Sequence, residues 1–378
     1  MIKKLVVIAR HFPSVLIEKG EYVPRYYNPG NVFDEVHLLL TNDDQPNIKA
    51  FKHTASEAKL FVHNLPRPDF LRTLGWRSWL IRGWIEEAVE IVEKIQPQLI
   101  RVHNNFLEGY LGQCLRETLG VPYLVSIHHS EHQFRTTIQR KLLGVLLRRY
   151  EYGSLQEANG VIAVYQSNYN YAEQLKGNDP RLIYNQVSDQ IPVKSDYSLS
   201  TPPKIITINQ QKDRKNPQNI IRAIADIDCE YWLVGNGPLH QELVDLAREL
   251  GVEEKVHFYT SIDNHDLTEM LRNCDLHVSH CDVWGMSKTV VESSMAALPT
   301  LINNHPRLPI PEYDDSWIMR CDNTPESYRE HILRILGDES LRRKIGQSAR
   351  AHAKKNFDPV LMEMRLADLY QEKMLSAE

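Results

Sequence analysis

Short β-branched runs alternate with helix-patterned stretches along almost the whole chain, and after one interruption the alternation starts again. In the first half, residues 5–9, 35–40, 60–63, 99–103, 123–128, 161–165 and 181–184 read as strands. Several are apolar at every position, as a parallel strand must be when helices cover both its faces. Helix-patterned stretches fill 79–94, 107–119 and 138–156. Residues 189–203 then carry Pro192, Pro202 and Pro203 with no periodicity and read as a linker. Beyond it come strands 204–208, 231–234, 255–259, 276–280 and 300–303. Helices 217–225, 239–250 and 266–273, one opening at Lys288, then 326–336 and 341–357 complete the pattern. The last helix, 360–375, is amphipathic. This pattern predicts an α/β chain of two Rossmann-like domains, 1–188 and 204–357, facing a central cleft where a ligand would sit. The 358–378 helix is expected to pack back toward the N-terminal domain.

A chain of 378 residues with 42% hydrophobic content supports two cores of ordinary size. The formal net charge of −5 gives no argument for a nucleic-acid partner. The chain has no run of 18 or more apolar residues, the length needed to span a bilayer, and residues 1–10 lack the apolar core and cleavage site of a signal peptide. Cys114, Cys229, Cys274, Cys281 and Cys321 show no pairing pattern, which fits reduced thiols and a cytoplasmic location. No CxxC or HExxH spacing points to zinc, and no metal or cofactor is expected.

The stretch 282–299, D-V-W-G-M-S-K-T-V-V-E-S-S-M-A-A-L-P, follows one strand and precedes another. A strand, a glycine-bearing turn and a helix start present free N–H groups and a positive helix end, the usual phosphate site of open α/β sheets. Glu292 lies about two turns into the expected helix, far enough to reach past a phosphate to a sugar hydroxyl. This layout points to a nucleotide-sugar site.

Several ordered segments together resemble glycosyltransferase family 4, whose members have the GT-B fold. They are R-K-N-P-Q-N-I-I-R-A at 214–223, L-V-G-N-G-P at 233–238, V-H-F-Y-T-S-I at 256–262, the strand at 275–279, G-M-S-K-T-V-V-E at 285–292 and Y-N-Q-V-S at 184–188. Three positions depart from the family pattern. Trp284 stands where the first glutamate of E-x7-E would be, with Asp282 two residues earlier. Gln210 stands where the family has an arginine, and the first turn has Gly20 alone in place of a glycine-rich loop.

The resemblance implies transfer of a sugar from a nucleotide diphosphate sugar, the only co-substrate, to a glycan, lipid-linked or small-molecule hydroxyl. It also implies retention of configuration without a metal, and a place in polysaccharide assembly. Lys215 would neutralise the departing diphosphate, with Arg214 sharing that role. Glu292 would accept hydrogen bonds from the ribose. Ser287 and Lys288, at the helix start, would touch phosphate, although Ser287 alone also suits an N-cap. Gly235 lies in a strand-to-helix turn on the donor side. Asp282, Gly285 and Met286 would contact the donor sugar, and Glu312 would match the family's sugar-loop glutamate. His128, ending a strand, would face the sugar from the N-terminal domain, with His129, His132 and His103 as alternatives. Arg135, Arg140, Lys141, Arg148 and Arg149 interleave with leucines, so the helix around 135–149 offers a peripheral contact with the inner face of a membrane. The other reading of that helix is ordinary core packing with a solvated basic face. Two rival functions stay open: a nucleotide-sugar epimerase, and a catalytically degenerate domain acting as a binding or assembly partner.

Overall fold

The computed structural model describes residues 2–128, 138–215, 217–282, 285–305 and 309–376, with backbone alone at 138–144 and 146. It divides into one unit of Met1–Gln186 with Val360–Glu378 and a second of Val187–Pro359.

The first unit holds β1 (Lys4–Ala9), β2 (Glu35–Leu40), β3 (Lys59–Asn64), β4 (Leu99–Val102), β5 (Tyr123–Ile127), β6 (Gly160–Ala163) and β7 (Pro180–Leu182). Its helices are α1 (Pro13–Glu18), α2 (Ile48–Phe51), α3 (Arg82–Ile95), α4 (Leu107–Leu119), α5 (Ile138–Gln156) and α6 (Gln166–Gln174). The strands form one parallel sheet in the order β3-β2-β1-β4-β5-β6-β7. The alternation of β1 shows why its apolar run is unbroken. Val6 and Ile8 enter the core shared with Trp84, Ala88 and Val92 of α3 and Leu111 of α4. Leu5, Val7 and Ala9 face the other way, into a core completed by Met362, Leu366, Leu369 and Tyr370 of the last helix, Pro359–Leu375. Each such side chain contributes roughly 1.5–3 kcal/mol on burial. Polar contacts also fix that helix. The Arg101 guanidinium, on β4, donates to Tyr370 Oη at 2.7 Å, and Arg25 forks onto Glu363 at 2.5 and 2.9 Å.

The second unit holds β8 (Lys204–Ile208), β9 (Glu230–Val234), β10 (Val256–Tyr259), β11 (Leu276–Ser279), β12 (Thr300–Asn303) and β13 (Met319–Cys321). Between and after them come α7 (Gln218–Ala223), α8 (His240–Glu249), α9 (Asn264–Asn273), α10 (Lys288–Met295), α11 (Pro325–Gly337) and α12 (Glu339–Asn356). This sheet is also parallel, in the order β10-β9-β8-β11-β12-β13. Residues 189–203, expected to be a free linker, belong instead to this unit. Lys194 N–H donates to Ala296 O at 2.8 Å, buried Tyr197 Oη donates to Ala297 O at 3.0 Å, and the Asp275 carboxylate accepts from Lys204 N–H at 2.8 Å. The prolines break periodicity there without freeing the chain.

Other boundaries also shift. The helix expected from Trp79 begins at Arg82, because the preceding residues form turns, with Leu80 N–H on Arg77 O at 2.8 Å. Four elements absent from the sequence reading are α1, α2, α6 and β13. Each is short or largely polar, so periodicity has little to act on.

Candidate functional site

In an open parallel sheet, ligands bind where the strand order reverses, beyond the carboxyl ends. In the second unit that point lies between β8 and β11, which are neighbours. The loops leaving the two strands are stitched together. Asn209 Nδ2 donates to His280 O at 2.7 Å, Asp282 N–H to Arg214 O at 2.8 Å, and an Arg214 guanidinium nitrogen to Asp282 O at 2.5 Å. Arg214 therefore serves as a bridge between the loops. It adopts φ +67°, a left-handed conformation that costs an L-residue roughly 1–2 kcal/mol.

The loop after β8 is shaped from below by glycine. A Cβ on Gly235 would come 2.0 Å from Asn209 O, and one on Gly237 would come 2.2 Å from Gln211 O. The Gly235-Asn-Gly turn thus lets two backbones touch. It supports the loop after β8 with main-chain bonds such as Gln211 N–H to Asn236 O at 3.0 Å. The supported loop folds back at Lys215, whose N–H reaches Lys212 O at 3.0 Å. Burial first, and then the neighbouring Lys215 charge, lower the pKa of the Lys212 amine from its ordinary value. Two amine side chains thus belong to one short loop at the switch point. Lys212 joins the site with Lys215.

Across the switch point, α10 begins. Ser287 occupies its N-cap position, but its hydroxyl does not cap the helix. It pairs with Thr289 Oγ1 at 2.9 Å, while Ser287 N–H donates to Tyr313 Oη at 2.9 Å. Glu292 is buried one turn in, not two, with a carboxylate oxygen 3.5 Å from Lys288 Nζ. Gly285 has φ +125°, and Met286 is buried. Asp282 is held within its own unit, by His280 Nε2 at 3.1 Å and Asn303 Nδ2 at 2.7 Å. Burial pushes its carboxyl up, but those bonds and the nearby histidines outweigh this and leave it below the ordinary range. Glu312 is buried, and its carbonyl accepts from Trp317 Nε1 at 3.2 Å.

In the first unit the order reverses between β1 and β4. His11 follows β1, His103 follows β4 and His128 follows β5. Their rings form a row, with His103 stacked on His128 at 5.7 Å between centroids and His11 tilted against His103 at 6.0 Å. The loop beyond α1 closes on this row. His11 Nε2 meets Tyr27 Oη at 2.7 Å and Tyr22 Oη at 3.2 Å, and the two phenols are 2.8 Å apart. Tyr26 lies edge-on to His103 at 5.9 Å. Burial lowers the pKa of His11 to about 4 and holds that of His103 well below its ordinary value, so both imidazoles are neutral at neutral pH. Burial likewise drives the Tyr22 and Tyr27 phenols above their ordinary value. Sequence reasoning found His128 and His103 but missed His11 and the tyrosines. His11 sits just past a strand end and was detectable by that position. The tyrosines lie in a loop without periodicity.

Trp284, His129, His132 and Arg135 lie outside the described residues, as do the side chains of Arg140 and Lys141. The basic-helix expectation therefore falls largely outside them too. Among the described residues no group of three or more His, Cys, Asp or Glu side chains is placed to hold a metal ion, and no helix is long and apolar enough to cross a membrane.

Comparison with known proteins matches each half of the chain to a family. Residues 34–190 match Glycosyltransferase Family 4, and residues 193–352 match Glycosyl transferases group 1. An uncharacterized glycosyltransferase of Methanocaldococcus jannaschii is 22% identical over 343 residues, covering 89% of this chain and 90% of that protein. Among solved structures, sucrose-phosphate synthase from Thermosynechococcus elongatus superposes with a TM-score of 0.75 at 15% identity over the full length of both chains. Anabaena HepE in complex with UDP-glucose superposes with a TM-score of 0.73 at 16% identity, covering 98% of this chain and 99% of that one. The matches favour neither the epimerase nor the non-catalytic module. Two adjoining family matches on two parallel α/β sheets make this chain a GT-B glycosyltransferase of the family 4 type.

Proposed function

We propose that the second unit holds a nucleotide diphosphate sugar and that the first presents the acceptor hydroxyl. The observation that carries this reading is the loop that turns at the switch point of the second sheet with two amine side chains, Lys212 and Lys215, on it, tied by Lys215 N–H to Lys212 O at 3.0 Å and braced from below by Gly235 and Gly237. Two cations on one loop are stabilised by an anion between or beside them, and a diphosphate supplies it. Lys215 then offsets the charge that grows on the departing nucleoside diphosphate. Arg214 sets the loop, Lys288 and the start of α10 lie on the phosphate side, and Glu292 accepts from the ribose hydroxyls. Gly285, Met286 and Asp282 flank the donor sugar.

In the transfer, the bond from the anomeric carbon to the diphosphate oxygen breaks and a bond from that carbon to the acceptor oxygen forms. The acceptor oxygen approaches on the face from which the diphosphate leaves and passes its proton to that phosphate, so the configuration is retained and no protein nucleophile is needed. His128 and its neutral neighbours orient hydroxyls without adding charge. No cofactor beyond the donor is required, and the reaction proceeds without a metal. The acceptor hydroxyl belongs to a glycan, a lipid-linked saccharide or a small molecule. The five free thiols fit a cytoplasmic setting.

HepE's complex with UDP-glucose makes uridine nucleotides the first to test. A thermal-shift panel of UDP, GDP, ADP and their sugars, with and without EDTA, should give a selective rise that EDTA leaves intact and Glu292→Gln removes. A rise seen only with added divalent metal would overturn the metal-independent form of the proposal. No rise with any nucleotide would overturn the donor assignment.

A further inference from the structure

The segment between β3 and α3, residues 66–81, carries a cluster of large exposed apolar side chains. Leu71 is 80% exposed, Trp79 68% and Leu74 65%, with Leu80 beside them. Isolated exposed leucines are ordinary, but four large apolar groups within ten residues are not. The segment is also firmly built. The Asp69 carboxylate accepts from Arg72 N–H at 2.7 Å, Thr73 Oγ1 donates to Asp69 O at 2.5 Å, and Trp76 Nε1 donates to Pro68 O at 2.9 Å. Phe70 meets the Trp76 ring edge-on at 4.8 Å. From α5, Arg149 donates to Gly75 O at 3.1 Å and Tyr150 Oη to Trp76 O. Leu74 and Trp76 are both held at positive φ, +50° and +59°, a strained state for L-residues. One side of the loop is thus anchored inward on Trp76 while the other keeps Leu71, Leu74 and Trp79 outside.

Charge says what covers them. Within 66–81 there are three arginines, at 67, 72 and 77, against the single acid Asp69, in a chain whose formal net charge is −5. Arg72 and Arg77 are exposed beside the leucines. Leucines to enter an acyl layer, a tryptophan for the headgroup level and arginines for anionic headgroups match a bilayer surface. A symmetric pairing of two copies would instead set these arginines against one another.

We infer that residues 66–81 form a docking surface for an anionic phospholipid bilayer, with Leu71, Leu74, Trp79 and Leu80 inserted and Arg72 and Arg77 on the headgroups. Docking needs no sugar donor, so its failure and the failure of the transferase reading are separate results.

The test is co-sedimentation of the full chain with vesicles of phosphatidylcholine alone and of phosphatidylcholine with phosphatidylglycerol. Binding should require the anionic lipid and weaken with salt. Arg72→Gln with Arg77→Gln should weaken it about 30-fold, and Leu71→Ser with Leu74→Ser at least about tenfold. All four side chains are exposed, so both variants should melt like the parent protein. Tryptophan emission should shift to the blue on binding, and Trp79→Phe should remove most of that shift. Equal binding of the leucine variant and the parent, or no binding to anionic vesicles, would overturn the inference. A concentration-dependent dimer lost in the leucine variant, without vesicle binding, would assign the surface to a second copy.

Discussion

The two switch points occupy the same place in two similar sheets and are furnished with opposite chemistry. Beyond β8 and β11 the groups are charged: Lys212 and Lys215 share one loop, and the Asp282 carboxyl is held below the ordinary carboxylate range. Beyond β1 and β4 the buried ring cluster is neutral: His11 and His103 have lost their basicity to burial, and Tyr22 and Tyr27 have lost acidity. Architecture therefore sets where a ligand meets the sheet, and side-chain electrostatics sets which part of it is met. A charged exit suits a diphosphate that gains charge as it leaves. A neutral exit suits hydroxyls, whose hydrogen bonds are not outcompeted by a fixed ion.

The largest expected effect separates the exits. Lys215→Ala should lower kcat by about 10²- to 10³-fold, the usual consequence of removing one preorganised stabiliser of developing charge. It should also shrink the nucleotide-induced rise in melting temperature. His128→Ala should lower kcat/KM by roughly tenfold, the worth of one hydrogen bond, while the nucleotide-induced rise persists. Initial rates and thermal shifts on the two variants decide the matter. If both mutations weaken nucleotide binding equally, the division of labour is wrong.

Next in size is a stability effect confined to the charged exit. Gly235→Ala sets a methyl group against Asn209 O at 2.0 Å and demands φ +133° of an alanine. Main chain cannot yield as a flexible side chain does, so we expect a loss of about 2–4 kcal/mol in denaturant unfolding. A change under about 1 kcal/mol would mean that the loop under Lys215 is not braced by this contact.

Acid should distinguish the exits by pH window. An unfolded histidine takes up its proton near 6.5, whereas folded His11 does so near 4. Between these values the unfolded chain holds the extra proton. Stability therefore falls as the pH drops through that window, by up to about 1.4 kcal/mol per pH unit for each such group. His103 acts in the same sense. Asp282, by contrast, is depressed below 3.8, so its contribution is present above that value and is lost only at lower pH. His277, buried in the second unit with a pKa near 3, follows the histidine law too. The assignment to the neutral exit thus rests on a difference measurement. His11→Gln should flatten the pH dependence between 6.5 and 4, and an unchanged slope would remove His11 as its source.

Much of this was legible before any coordinates, for identifiable reasons. β2, α4, β8 and β12 were read with the bounds they have, because each is an apolar or amphipathic run cut off sharply by polar residues, glycine or proline. Lys215 and Glu292 were nominated because they follow strand ends in a recognisable order. The His11–Tyr22–Tyr27 triangle was not, since it exists only when a loop without periodicity folds back over β1. The linker at 189–203 misled because proline interrupts a pattern whether or not the chain is packed. Trp79 was drawn into a helix by the apolar residues around it, and lies outside on a turn instead.

The smallest expected effect bears on what the start of α10 is for. A serine at an N-cap usually contributes about 1 kcal/mol through a bond from its hydroxyl to the first-turn N–H groups. Ser287 makes no such bond: its hydroxyl turns to Thr289 Oγ1, and its own N–H is tied to Tyr313. Ser287→Ala should therefore change stability by less than about 0.5 kcal/mol in denaturant unfolding. If the hydroxyl's place is on the donor, the same substitution should still weaken the nucleotide-induced thermal shift. A loss near 1 kcal/mol with donor binding intact would make Ser287 an ordinary cap and leave the charged exit to its lysines. A small stability change with weakened binding would mean that the helix start forgoes its own cap so that its polar groups meet the ligand.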